Sequence, residues 1–106
     1  MNKISNISFG EIILSERLKN TMKDSPENFE KLNRFKKYKP DCYVDLCFTK
    51  TGKFYLKGME NLNPLQNTIT ARLWLDDKQA PLVEDILILH DKFQKEAENN
   101  YIKSIR

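Results

Sequence analysis

A hairpin whose register is written in its side chains constrains this chain more than any other feature. Between Cys42 and Gly58, two runs of residues flank Lys50, Thr51 and Gly52. A loop of Thr51 and Gly52 alone would set Lys50 against Lys53, Thr49 against Phe54 and Leu46 against Lys57, mixing polar and apolar groups on both faces. A loop of Lys50, Thr51 and Gly52, with the glycine at positive φ, pairs Phe48 with Phe54 and Leu46 with Leu56 instead. The other face then sets Asp45 against Lys57 and Cys47 against Tyr55. Because a slip of one residue inverts every side chain, the segregated register is selected. It makes one dry face and one wet, aromatic face.

The remaining periodicities supply partners for that hairpin. From Thr68 to Leu75, Ile69, Ala71, Leu73 and Leu75 alternate with Thr68, Thr70, Arg72 and Trp74, which reads as a third strand with its first set toward the core. From Pro81 onward, helical projection gathers Leu82, Val83, Ile86, Leu89, His90, Phe93, Ala97 and Tyr101 on one face. Glu84, Asp85, Asp91, Lys92, Lys95, Glu98 and Asn99 lie opposite, with Ile88 an apolar exception among them. This long helix is expected to cover the dry face. Asn61 to Pro64 reads as a loop.

The first third is less clear. Ser8 followed by Glu11 matches a capping box, and Ile12, Ile13, Leu14, Leu18 and Met22 follow with imperfect helical spacing, which favours a helix over 9–23. The alternative is a short strand from Ile4 to Leu14 followed by a helix from Ser15, since 11–14 has no clean period. Ser25 and Pro26 then open a second helix with Phe29, Leu32 and Phe35 as its buried stripe, ending near Lys39 because Pro40 disfavours helical geometry before it. The expected fold is α+β: a three-stranded antiparallel meander sheet, a long C-terminal helix on one face and one or two N-terminal helices.

Composition bounds the rest. A chain of 106 residues reads as a single domain, 1–106, that buries roughly 65% of its unfolded surface. An apolar share of 40% beside 31% charged residues describes a folding, soluble chain. The first fourteen residues lack the continuous apolar core of a signal peptide, and no segment approaches the roughly 20 apolar residues of a membrane span, so a cytoplasmic protein without membrane contact is expected. Cys42 and Cys47, five apart on one strand, project from opposite faces and cannot bridge each other. With a single histidine, His90, and no CxxC or HxxxH spacing, neither a metal nor another cofactor is expected. Charge is uneven: 17–39 holds eight basic and three acidic residues, whereas 76–98 holds seven acidic residues and three lysines.

Chemistry is sparse. His90 sits in an apolar stripe, where a hydrogen-bonded core histidine outranks a general base. Cys47 has no neighbouring base or helix N-terminus in view to activate it, and Asp76 with Asp77 reads as a strand terminator. Three glycines exclude a glycine-rich phosphate loop, so catalysis has no support. The wet face is the working surface of choice. There Tyr43, Tyr55 and Trp74 join Lys53, Lys57 and Arg72, a set suited to a protein interface. The expected function is a small non-enzymatic interaction module of the inhibitor, immunity or adaptor type. Self-association through the same face is a related form of it. The alternative is single-stranded nucleic-acid binding, where aromatic stacking and cations cooperate. Fourteen lysines against four arginines, a net charge of +3 and an acidic last helix rank it second. A small enzyme without a recognisable motif ranks third.

Overall fold

The computed structural model describes residues 12–32, 41–60, 69–76 and 80–104, the side chains of 31 and 100–104 excepted. The elements run β1 (Ile12–Leu14), α1 (Glu16–Thr21), α2 (Glu27–Leu32), β2 (Cys42–Phe48), β3 (Phe54–Glu60), β4 (Thr70–Trp74) and α3 (Val83–Ser104). They form an α+β fold around one sheet.

The hairpin register is the one its side chains select. Asp45 faces Lys57, Leu46 faces Leu56, Cys47 faces Tyr55 and Phe48 faces Phe54. Gly52 takes a φ of 89°, and its N–H donates to the Thr49 carbonyl at 3.0 Å, closing the three-residue loop. β4 then pairs antiparallel with β3, setting Tyr55 against Trp74, Leu56 against Leu73, Lys57 against Arg72 and Gly58 against Ala71.

The sheet has four strands in the order β1-β2-β3-β4, and β1 lies parallel to β2, so it is mixed rather than a three-stranded antiparallel meander. The helix expected over 9–23 is replaced by this strand and by α1. Ile12-Ile13-Leu14 is the unbroken apolar run of a short parallel strand, and Ser15 ends it. The Ser15 N–H donates to the Val44 carbonyl at 2.9 Å, while its hydroxyl accepts the Leu18 N–H at 3.1 Å as the cap of α1. The Ser8 and Glu11 pair lies outside the described residues, as do the loop at Asn61 to Pro64 and the helix end near Lys39.

The three described helices contribute to the core on the dry face. Leu14, Leu18, Phe29, Val44, Leu46, Leu56, Leu75, Ile86, Leu89 and Phe93 belong to one buried cluster. Gly58 leaves room for its neighbours on the dry face: a Cβ there would stand 3.0 Å from Cys42 Sγ on β2 and 3.5 Å from Leu89 Cδ2 on α3. The start of α3 is tied to the connection between α1 and α2, with the Val83 N–H donating to Asp24 Oδ2 at 3.2 Å and the Lys23 N–H donating to the Pro81 carbonyl at 3.4 Å. Among the described residues no helix is long and apolar enough to cross a membrane.

Three expectations about burial need correction. Leu32 is 45% exposed rather than part of the α2 stripe, and Phe35 lies outside the described residues. Asp85 is buried rather than solvent-facing, because its Oδ2 accepts the Leu82 N–H at 2.8 Å in the first turn of α3. Phe48, the last residue of β2 before the hairpin loop, is 61% exposed, with the Phe54 ring centroid 6.1 Å from its own. Ile88 is exposed on α3 as its polar surroundings imply.

Candidate functional site

The open face carries the side chains that alternate with the core, in three rows across the strands. Ile13, Tyr43, Met59 and Thr70 form the first, Asp45, Lys57 and Arg72 the second, and Cys47, Tyr55 and Trp74 the third. Five of the six expected partner-binding residues therefore lie on strands of this one face.

The third row holds the aromatic centre. Tyr55 and Trp74 are directly opposed, with ring centroids 5.0 Å apart and planes tilted by 48°. Arg72, diagonal to Tyr55, sets its guanidinium 5.7 Å from the Tyr55 ring centroid. Trp74 is 49% exposed, while Tyr55 is half-buried. Neither is sealed beneath another element. Lys53 precedes β3 and joins Phe54, Trp74 and Asp76 in lining a hollow of about 710 Å³ at the end of the row. Asp76 turns the chain there at a φ of 54°, a left-handed conformation that aspartate tolerates better than most residues.

Tyr43 stands apart from this centre. It shares the face but pairs with Met59 and Ile13, and the charged row separates it from Tyr55. It is a neighbour of the cluster rather than a member.

The charged row is anchored from a distant segment. Asp45 faces Lys57 in the register, yet its carboxylate accepts the Ser15 hydroxyl at 2.7 Å, the Leu46 N–H at 2.8 Å and Arg17 Nη2 at 2.8 Å. Burial, the largest single influence on Asp45, raises its pKa, but the hydrogen bonds from Ser15, Arg17 and Leu46 and the charge of Arg17 together outweigh it and hold the pKa below the ordinary carboxylate value. Arg17 in turn is raised by the hydrogen bond and then the charge of Asp45. No local pattern marks Arg17 as part of this face, because its partner is 28 positions away.

The candidates for catalysis do not converge. Cys47 lies on the open face, whereas His90 rides on α3 across the sheet, bonded to Gln94 Nε2 at 3.2 Å. Burial lowers the His90 pKa, and Asp91 opposes that shift. Cys42 is sealed in the core, where burial pushes its thiol up to about 12 and leaves it unreactive. Among the described residues no three of His, Cys, Asp or Glu are grouped to hold a metal ion. No protein-family model, no curated protein and no solved structure matches this chain.

Proposed function

We propose that this chain is a non-enzymatic interaction module, of the inhibitor, immunity or adaptor type, that docks on a partner protein through its open sheet face. The observation that carries this reading is the Tyr55, Trp74 and Arg72 cluster: a half-exposed tryptophan already packed on a tyrosine, with a guanidinium beside the same ring. Such side chains are held before a partner arrives, so less rotamer freedom is lost on binding. Tryptophan, tyrosine and arginine are also the residues that dominate interface energetics. Lys57 and Lys53 flank the cluster and favour partners of opposite charge.

The test is a photo-crosslinking residue placed at Lys57 and, separately, at Ile88, in cells that make the protein. A discrete protein adduct from position 57 that disappears on Trp74→Ala, with none from position 88, is expected. Equal adducts from both positions would sink the proposal. An adduct to nucleic acid, together with Trp74 fluorescence quenching by oligonucleotides that weakens with salt, would put single-strand binding in its place.

A further inference from the structure

Among the described residues β4 is one of the two outer strands of the sheet, and the phase of its ladder decides what its outer side presents. The Glu60 N–H donates to the Ile69 carbonyl at 3.1 Å, and the Leu75 N–H donates to the Phe54 carbonyl at 3.0 Å. Antiparallel pairs alternate between bonded and non-bonded, so 69, 71, 73 and 75 bond inward to β3. The N–H and C=O groups of Thr70, Arg72 and Trp74 therefore point outward, away from β3. The outward Arg72 carbonyl already accepts a donor from beyond the sheet, Lys92 Nζ of α3 at 3.3 Å.

Two hollows bracket this edge. A groove of about 460 Å³ runs between Thr70, Ala71 and Arg72 and the α3 residues Lys92, Lys95, Glu96 and Asn99. At the other end of the strand lies the hollow beside Trp74. Lys53, Lys57, Arg72, Lys92 and Lys95 stand around the edge, against Asp76 and Glu96, with Lys95 also paired to Asp91 at 3.2 Å. Among the described residues cations are in excess there.

We infer that the β4 edge receives an extended, acidic peptide segment of a partner protein as a fifth strand, an inference that rests on the Tyr55, Trp74 and Arg72 cluster being the partner site. The segment's backbone bonds to the outward groups of Thr70, Arg72 and Trp74. Its alternate side chains fall on the open face beside Arg72 and Trp74, where carboxylates meet Arg72 and Lys57. Lys92 gives up the Arg72 carbonyl to the incoming strand. Until then its ammonium blunts the edge. A second copy is a poorer occupant: the twofold pairing that bonds all three outward residues sets Arg72 against Arg72, like charges directly opposite.

The test uses the full chain, nitrogen-15 labelled, with an end-blocked heptapeptide alternating glutamate and valine, its lysine-for-glutamate counterpart, and oligothymidylate. The glutamate peptide is expected to bind saturably below about 1 mM and to slow amide exchange at Thr70, Arg72 and Trp74 while leaving Ala71 and Leu73 unchanged. Thr70→Pro, which deletes an outward N–H at the start of an edge strand, should weaken binding roughly tenfold with the fold intact. Arg72→Glu should reverse the preference between the two peptides. Shifts at Cys47, Tyr55 and Lys57 without protection at 70, 72 and 74 would remove the fifth strand and leave the docking face standing. Equal binding of both peptides, or none below about 1 mM, would overturn the inference, while crosslinking at Lys57 decides separately whether the face has a partner. Oligothymidylate producing the same shifts, with steep salt dependence, would replace the peptide with nucleic acid.

Discussion

On one side of the sheet Val44, Leu56 and Gly58 lie sealed beneath α3, while on the other side, at alternating positions of the same strands, Asp45, Tyr55 and Lys57 are only half-covered. Both sets share one backbone and one ladder of hydrogen bonds. They differ in what their side chains demand from the surroundings. The covered side is a continuous apolar cluster that has to exclude water to stabilise the fold, so its shape is dictated by packing. The open side pairs its own groups, through the bonds of Asp45 to Ser15 and Arg17 and the contact of Tyr55 with Trp74, and does not depend on excluding water. A face that is stable without a cover is free to meet another molecule.

Substitutions that treat the two sides unequally test this contrast. Phe93→Ala empties a fully buried site on α3 and should lower stability by about 3–5 kcal/mol in urea unfolding. A loss of under about 1 kcal/mol would mean that α3 is not what closes the dry face. Gly58→Ala drives a methyl toward Cys42 Sγ and should lower stability by about 1–3 kcal/mol, read as a reduced urea midpoint at constant slope.

On the open side the effects shrink. Asp45→Asn weakens the bonds to Ser15 and Arg17 and should cost about 1–2 kcal/mol near neutral pH. The folded pKa of Asp45 lies below its ordinary 3.8, so its contribution is fully present above that value and is lost as pH falls through the folded value. Wild type should therefore lose stability in acid more steeply than Asp45→Asn, and parallel acid denaturation curves for the two would contradict the network. Trp74→Ala should change stability by no more than about 1 kcal/mol, because half of its surface already faces water. Its effect should instead fall on partner capture, and a large drop in melting temperature would show that Trp74 belongs to the core.

Much of this contrast is legible from alternation alone. The β2 and β3 runs specify their own pairing because only one loop length separates Leu46, Leu56 and Phe54 from Asp45, Lys57 and Tyr55. The α3 stripe is likewise visible, with Val83, Ile86, Leu89, Phe93 and Ala97 all buried. Alternation fails where coverage ends. Phe48 has the correct phase for the core but is exposed at the hairpin tip, and Leu32 has the helical period of Phe29 yet faces water. Within the site, Tyr55, Trp74 and Arg72 come together through adjacent strands, whereas Tyr43 shares their face without sharing their row. Phase names a face; the strand register names the neighbours.

By itself, the sequence determined the hairpin register, the separation of its two faces and the inward stripe of the last helix. Each depends only on how a residue points relative to its own strand or helix, a direction that local periodicity encodes. The tertiary structure alone decided that Ile12–Leu14 lies parallel to β2, that Arg17 holds Asp45, and that Lys92 reaches the carbonyl of Arg72. These pairings join segments tens of residues apart, and their partners are chosen by which elements the core brings side by side.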